Sequence, residues 1–146
     1  LLQLDFWQQL QDFAADQNPP LRLRTPRAQH WYDVAIGRSD CHVVLTTLIA
    51  ENQIGCEIYI PNAKTLFHAF HSNRPAIEAA LGITDLLWQE LPEKKASRIR
   101  SFLPFNFANQ PRALAYQWLV ETTRKFQAVF VKPWPVANSS TLSTNS

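Results

Sequence analysis

The basic side chains of this sequence fall into two groups that could bind phosphate. Arginine and lysine neutralise phosphate charges, and aromatic rings stack on nucleic-acid bases. If the two groups converge, they form a nucleic-acid-binding surface on which Trp31 and Tyr59 are available for stacking. The alternative is a solvated face with internal ion pairs to acidic residues such as Asp33 and Glu57. The first group is Arg22, Arg24, Arg27 and Arg38, and the second is Lys94, Lys95, Arg98 and Arg100.

Asp33 and Glu57 are a candidate acidic pair, because carboxylates are ligands that Mg²⁺ accepts. The predicted order helix, three strands, helix, strand is also the core order of PD-(D/E)XK nucleases, which bind the metal through an acid on one strand and an acid-x-lysine motif on the next. Here Glu57-Ile58-Tyr59 has tyrosine at the lysine position. Asp33 lies two strands away, at roughly 10 Å. A metal-dependent nuclease with an atypical site therefore requires that the two carboxylates approach within ~5 Å.

The other residue types give no support for catalysis. His68 and His71 are spaced i, i+3, but no acidic ligand pattern accompanies them, so they are expected to be surface residues. The sequence has no GxSxG motif and no papain-like cysteine motif, and its three glycines form no phosphate loop. We therefore predict no catalytic residue, no metal and no cofactor, and favour a protein that is not an enzyme.

The composition is typical of one globular domain. The chain has 146 residues, of which 46% are hydrophobic, and a formal net charge of +2. A chain of this length buries a core without metals or disulfides. We predict a single domain over residues 1–136 and a disordered tail or linker over residues 137–146, where ANSSTLSTNS has little apolar surface. Because the sequence begins at Leu1 without methionine, we expect it to be part of a longer protein.

Cysteine usage and hydropathy predict a cytoplasmic protein. Cys41 and Cys56 do not face each other in the strand register derived below, so free thiols in a reducing compartment are expected. No apolar run reaches the ~18 residues of a transmembrane helix. The first residues lack the basic segment of a signal peptide, and no membrane partner is expected.

Residues 31–60 predict three antiparallel strands, because their apolar residues alternate with period two. Turns are predicted at 37–40 and, as a two-residue hairpin turn, at 51–52. In both hairpins the same alternate residues of the central strand, Val43 and Leu45 among them, face the core. A one-residue shift of either register would destroy this agreement. The predicted facing pairs are Tyr32 with Leu45, Val34 with Val43, Ile36 with Cys41, Val43 with Ile60, Leu45 with Ile58, Thr47 with Cys56 and Ile49 with Ile54.

The opposite face of these strands has a mixed composition that does not resemble a plain solvent face. It combines acidic, aromatic and apolar side chains. We therefore expect something to cover part of it. Its members are Trp31, Asp33, His42, Val44, Thr46, Leu48, Glu57 and Tyr59.

Helices are predicted on both sides of these strands, and a second hairpin follows. Helical periodicity covers residues 2–16, about 62–80 and about 112–129, with Asn62 as a cap and a break at Pro75. Gly82 fits a C-terminal cap. The second hairpin places Gln89 opposite Arg98 and Leu87 opposite Arg100, around a turn at 92–95. The fold class is thus α+β, a largely antiparallel sheet of about five strands with helices packed on it, in the order helix-β-β-β-helix-β-β-helix.

Several segments resemble the prokaryotic domain-of-unknown-function family 4268. The most specific is the L-P-x-K-K-x-S-R-I pattern within WQELPEKKASRIRSF, and others are FWQQLQDFA, WYDVAIGRSDCHV and the helix of Trp118-Leu119 with its Phe126-x-x-Val-Phe130. The resemblance extends to about Pro135. It implies a domain often placed C-terminal to a nuclease-like region, hence DNA-related or defence-related work, and it supplies no catalytic motif.

Three functional hypotheses follow. The first is a non-catalytic accessory module of a larger prokaryotic protein, which assists nucleic-acid binding or a nuclease-like neighbouring domain and has DNA or RNA as its partner. The second is a protein-interaction module, such as a homodimer, that uses the mixed sheet face or the aromatic segment with Phe130 and Trp134. The third is the metal-dependent nuclease built on Asp33 and Glu57.

Overall fold

The computed structural model describes residues 2–136, which form four helices and five strands. The elements alternate as predicted, with the second helical segment divided in two. The bounds are α1 Leu2–Ala15, β1 Trp31–Val34, β2 His42–Leu48, β3 Gln53–Ile60, α2 Lys64–Ser72, α3 Arg74–Leu81, β4 Leu87–Gln89, β5 Ser97–Pro104 and α4 Arg112–Phe130. The tail predicted over residues 137–146 lies outside the described residues.

The five strands form one antiparallel sheet in the order β1-β2-β3-β5-β4, which confirms the predicted α+β class. The helices cover one face of this sheet. α4 lies against β2 and β3, and the Phe6 ring of α1 lies 5.0 Å from the Tyr116 ring of α4. Phe70 of α2 packs edge-on against Phe130 at the end of α4. A single hydrophobic core therefore lies between the sheet and the helical layer.

Two of the three predicted registers are confirmed. β1 pairs with β2 so that Tyr32 faces Leu45, and β4 pairs with β5 so that Gln89 faces Arg98. The register between β2 and β3 was wrong by two residues, since Leu45 faces Cys56 and not Ile58. The parity of the core face is unchanged, because a shift of two residues returns every side chain to the same side.

The reason for the shifted register is a four-residue turn at 49–52. Its backbone is closed by hydrogen bonds from Glu51 N to Leu48 O (3.2 Å) and from Asn52 N to Ile49 O (3.1 Å). Asn52 adopts a left-handed φ of 51°, which asparagine tolerates better than most residues. Ile49 therefore belongs to the turn, and the predicted pair with Ile54 does not form.

The helix ends follow the sequence signals with one correction. α2 ends before Arg74-Pro75, and Gly82 caps α3 in the left-handed conformation with φ 69°. The predicted cap by Asn62 is wrong, because the residue preceding α2 is Ala63 and no side chain caps this helix. Over residues 2–136, no helix is both long enough and apolar enough to cross a membrane. Cys41 and Cys56 are buried free thiols, as expected.

Gly55 allows the outer face of β3 to be packed closely by its neighbours. It pairs with Thr46 on β2 and Phe102 on β5, and a Cβ built at Gly55 would lie 2.4 Å from Thr46 Oγ1 and 3.2 Å from the Phe102 ring. Glycine within a strand often marks such a close approach. The hydroxyl of Thr46 therefore occupies the space that a side chain at position 55 would need.

Replacing Gly55 with alanine is expected to lower the free energy of unfolding by about 1.5 kcal/mol through overpacking. Because Thr46 Oγ1 is the closest atom, the additional change Thr46→Ala should recover part of that loss. Urea denaturation of the two single variants and the double variant measures the coupling. Additive effects would mean that the Thr46 hydroxyl does not limit the space at Gly55.

Candidate nucleic-acid interface

The uncovered face of the sheet forms a cleft that is lined by all eight residues predicted for the mixed face. Within the described chain, no helix packs on this face. The cleft has a volume of about 530 Å³, which lies within the range of small-ligand pockets. We call it the central cleft, and it is lined by His30, Trp31, Asp33, His42, Val44, Thr46, Leu48, Glu57, Tyr59, Arg98 and Arg100.

Glu57 lies between two arginines at one side of the central cleft. The strand register places Arg100 directly opposite Glu57, and Arg98 diagonally beside it. Both arginine Nε atoms lie 3.4 Å from the carboxylate oxygens, and Glu57 is only 4% exposed. Burial raises the pKa of Glu57 although both arginines oppose this, and burial lowers the pKa of Arg100. Desolvation thus outweighs the attraction within this trio.

Several donors on this face make no well-aligned hydrogen bond within residues 2–136, although the Glu57 carboxylate is near. The Nε atoms of Arg98 and Arg100 are buried and make no hydrogen bond, and neither guanidinium donates one elsewhere in residues 2–136. Thr46, 7% exposed on the floor of the cleft, has an unpartnered hydroxyl. Buried polar groups are nearly always paired in folded proteins, so this concentration on one face is unusual. The arrangement is suited to a ligand that brings acceptor oxygens.

Asp33 joins the central cleft to the first basic group at the β1 edge. Its carboxylate lies 3.7 Å from Arg24 Nη1 and 3.5 Å from His42 Nε2. Asp33 also lines two adjoining grooves, one with Arg22 and Arg24, and a smaller one with Arg24 and Arg27. All four arginines of the first group and two of the second therefore border one continuous surface, although Arg38 lines it only at the groove of Arg22 and Arg24.

The connector between α1 and β1 holds these arginines at the sheet edge. Leu21 is buried and its backbone N–H donates to Ala14 O at 2.9 Å. Gln11 and Tyr32 both donate to the carbonyl of Arg24, which fixes the backbone there. Because these contacts use backbone carbonyls, the side chains of the connector's arginines remain exposed.

Arg38 is half-buried, and its guanidinium is already engaged by other groups of the protein. It forms a two-pronged ion pair with Asp40, at 2.8 and 2.9 Å, and donates to the carbonyl of Phe130 at 3.3 Å. The ion pair lowers the pKa of Asp40 and raises that of Arg38. Arg38 therefore fits the alternative of an internal ion pair.

Lys94 and Lys95 are exposed at the tip of the β4–β5 turn and do not line the central cleft. The turn lies at the end of the sheet where β5 begins, next to Arg98. The two lysines can thus extend the basic surface only beyond the cleft. Their assignment to the binding surface stays a prediction.

Two aromatic side chains border the central cleft at opposite ends. Trp31 is 38% exposed, and the His30 ring meets its indole edge-on at 4.7 Å. Tyr59 lies 5.6 Å from the His42 ring, and the Arg98 guanidinium lies over Tyr59 at 5.6 Å. Both rings are on the same face as the arginines, as the strand parity predicted.

The acidic pair required by the nuclease hypothesis does not come together. In the register, Val44 of β2 separates Asp33 of β1 from Glu57 of β3, a spacing of roughly 10 Å. Glu57 lies between arginines, and Asp33 faces Arg24. Residues 2–136 contain no group of three or more His, Cys, Asp or Glu side chains arranged to hold a metal ion.

The histidine pair and the aromatic C-terminal segment pack locally. His68 lies 3.4 Å from the Glu90 carboxylate, and His71 stacks on Phe67. Phe130 is fully buried, and the Trp134 indole N–H donates to a carbonyl of α4 at 2.9 Å. Of the large apolar residues that remain exposed over residues 2–136, Leu2, Trp31, Leu87 and Leu114 lie on four different elements, and Val131 and Val136 lie in the segment after α4.

The family model described as Domain of unknown function (DUF4268) matches residues 2–133. The chain belongs to this family. The match confirms the resemblance seen in the sequence and spans the sheet, all four helices and every residue of the central cleft. No curated protein and no solved structure matches the chain.

The residues that sequence reasoning missed are those that shape the floor of the cleft. Thr46 was placed on the correct face, but its unpartnered hydroxyl was not foreseen. Gly55 was overlooked, although an isolated glycine within a strand pattern is a usable signal of close packing. His42 gains its interest only from its position between Asp33 and Tyr59.

Proposed function

We propose that this domain binds single-stranded nucleic acid on the uncovered face of its sheet, as a non-catalytic module that assists a nucleic-acid-acting neighbour in a longer protein. The observation that carries the proposal is the convergence of arginines from both basic groups on one face that also presents Trp31 and Tyr59. A basic groove with stacking aromatics is the usual architecture of single-strand binding.

A single strand fits this face better than a duplex. The aromatic rings lie in and beside a cleft, where only unpaired bases can reach them. Arg22, Arg24 and Arg27 are exposed along the adjoining edge and are available for phosphates that follow the bases. Because guanidinium groups and rings recognise any nucleotide, little sequence preference is expected.

Binding is tested by fluorescence anisotropy with a labelled single-stranded oligonucleotide and the matching duplex, from ~50 mM salt upward. The variant Arg22→Ala/Arg24→Ala should bind the single strand more weakly. Its plot of log affinity against log salt should be less steep by about 0.7 for each phosphate that the variant no longer neutralises.

The matched control is Lys125→Ala/Lys132→Ala, which removes the same charge from exposed positions on and just after α4, the helix on the covered face. It should leave the affinity and the salt slope nearly unchanged. Equal losses of affinity in both double variants would show that the effect comes from net charge and not from the positions of Arg22 and Arg24. Absence of single-strand binding at ~50 mM salt would remove the proposal.

A further inference from the structure

The central cleft changes in chemical character along β2. This strand contributes every second side chain to the floor, in the order His42, Val44, Thr46, Leu48. The Leu48 end is apolar, and Trp31 of β1 lies opposite Thr46, the next residue along the floor. The His42 end lies beside Tyr59 and the arginines, with Val44 between the two ends. A ligand that fits both ends carries a flat apolar ring at one side and an anionic group at the other.

The arginine side of the cleft has more cations than anions and an excess of hydrogen-bond donors, whereas Asp33, on the other side of Val44, faces Arg24 and His42. Glu57 balances one of the two arginines beside it, so the trio keeps a net charge of +1 when the carboxylate is ionised. The guanidinium groups donate no hydrogen bonds within the described chain, although each can donate several. Paired arginines with free N–H groups match the geometry of phosphate oxygens.

The floor of the cleft is preformed and holds one unpartnered hydroxyl. Val44 and Thr46 are 8% and 7% exposed, so a ligand over them would contact packed side chains and not a mobile loop. The Thr46 hydroxyl, free of any hydrogen bond, is a polar group that the edge of a heterocycle could engage after a small rotation. The volume of about 530 Å³ suits one such ligand.

We infer that the central cleft takes one unpaired nucleotide, with its phosphate at Arg98 and Arg100 and its base over Val44 and Thr46 against Trp31. This inference deepens the proposed function and rests on it where the nucleotide belongs to a strand. A free mononucleotide has the same chemistry, and the experiment separates the two sources.

The test compares three probes by anisotropy and competition. One is a short phosphodiester strand that is abasic at every position, the second has a base at one central position only, and the third is a free mononucleotide used as competitor. The single base should improve the affinity of the unaltered domain by about tenfold, as expected for one stacked base. Equal affinities for the two strands would overturn the inference while leaving backbone binding intact.

Two variants assign the effect to the cleft. Val44→Phe fills the floor while keeping every arginine, and Trp31→Leu removes the stacking ring at a position that is 38% exposed. Both should bind the abasic strand as before and lose the tenfold gain from the single base. Leu114→Phe, which adds the same ring at an exposed position of α4, should keep the gain.

The outcomes are distinguishable. If the abasic strand binds but Val44→Phe and Trp31→Leu retain the gain, the cleft is not the nucleotide site and the wider proposal survives. If neither strand binds but the mononucleotide quenches the tryptophan fluorescence and Trp31→Leu abolishes the quenching, the cleft takes a free nucleotide and the strand-binding proposal falls. If no probe binds, both are wrong.

Discussion

Lys64→Met is expected to lower the free energy of unfolding by about 3 kcal/mol, because it removes the one charged donor shared by three half-buried carbonyls and a buried hydroxyl. Lys64 Nζ donates to the carbonyls of Glu90, Leu91 and Ala96, at 2.9 Å for Leu91 and 2.7 Å for Ala96. It also lies 3.0 Å from the hydroxyl of Ser97, which is fully buried. A single ammonium group thus ties the start of α2 to the turn between β4 and β5.

The turn depends on this lysine because its backbone is strained. Leu91 adopts a left-handed φ of 56°, which costs a residue with a Cβ roughly 1–2 kcal/mol. The ammonium group stabilises that conformation because all of its donors point at the turn. Methionine preserves the length and apolar stem of lysine but provides no donor.

Urea denaturation measures the effect, and Lys95→Met is the matched control on the same turn. Lys95 is exposed, so its replacement should change the free energy of unfolding by less than about 0.5 kcal/mol. A loss below about 1 kcal/mol for Lys64→Met would show that water replaces the ammonium group at these carbonyls.

Arg100→Gln is expected to destabilise the protein by about 2.5 kcal/mol at neutral pH, because it removes one of two partners from a buried carboxylate. Breaking a buried ion pair typically costs more, but Arg98 remains 3.4 Å from Glu57 and retains part of the attraction. Adding Glu57→Gln removes the buried charge itself. The double variant should therefore return to within about 1 kcal/mol of the unaltered protein.

The dependence of stability on pH gives an independent check of the role of charge at Arg100. Burial raises the pKa of Glu57 in the folded protein above its ordinary value of 4.5, and this effect exceeds the opposing attraction of Arg98 and Arg100. Glu57 in the folded state therefore keeps its proton over a pH range in which Glu57 of the unfolded chain has lost it. The contribution of Glu57 to stability is greatest below that range and falls as the pH rises through it.

Loss of Arg100 raises the pKa of Glu57 further, since one attracting charge disappears. Arg100→Gln and the unaltered protein should accordingly differ little below about pH 4 and increasingly toward neutral pH. Chemical denaturation from about pH 3.5 to about pH 7.5 measures the difference. A gap that stays constant with pH would mean that Arg100 acts through packing and not through its charge.

The alternation of apolar residues was enough to predict which side of each central strand faces the core. Tyr32, Val34, Val43 and Leu45 point inward as predicted because the side-chain period of a strand is two. The same rule placed Trp31, Glu57 and Tyr59 on the opposite face. Parity, however, is insensitive to a shift of two residues, and so the sequence could not decide between a two-residue and a four-residue turn at 49–52.

Local signals were reliable where one residue restricts the backbone. Pro75 divides the central helical segment and Gly82 ends it, since proline lacks the N–H and glycine accepts a positive φ. Asn62 failed as a cap because capping requires its side chain to reach the helix, and α2 begins one residue later than predicted. Capping depends on a distance that the residue type alone does not fix.

The sequence by itself determined the composition of the candidate interface, and the tertiary structure decided which of its charges are available. Arg38 and Arg24 are the same residue type, but Arg38 is held by Asp40 and by the carbonyl of Phe130, 92 positions away, whereas Arg24 has only a longer contact with Asp33, at 3.7 Å, and stays exposed. Glu57 and Arg100 meet because β5 returns to lie beside β3. Partners this distant in sequence are set by the packing of the whole chain, so only the folded structure shows which cations remain free to bind.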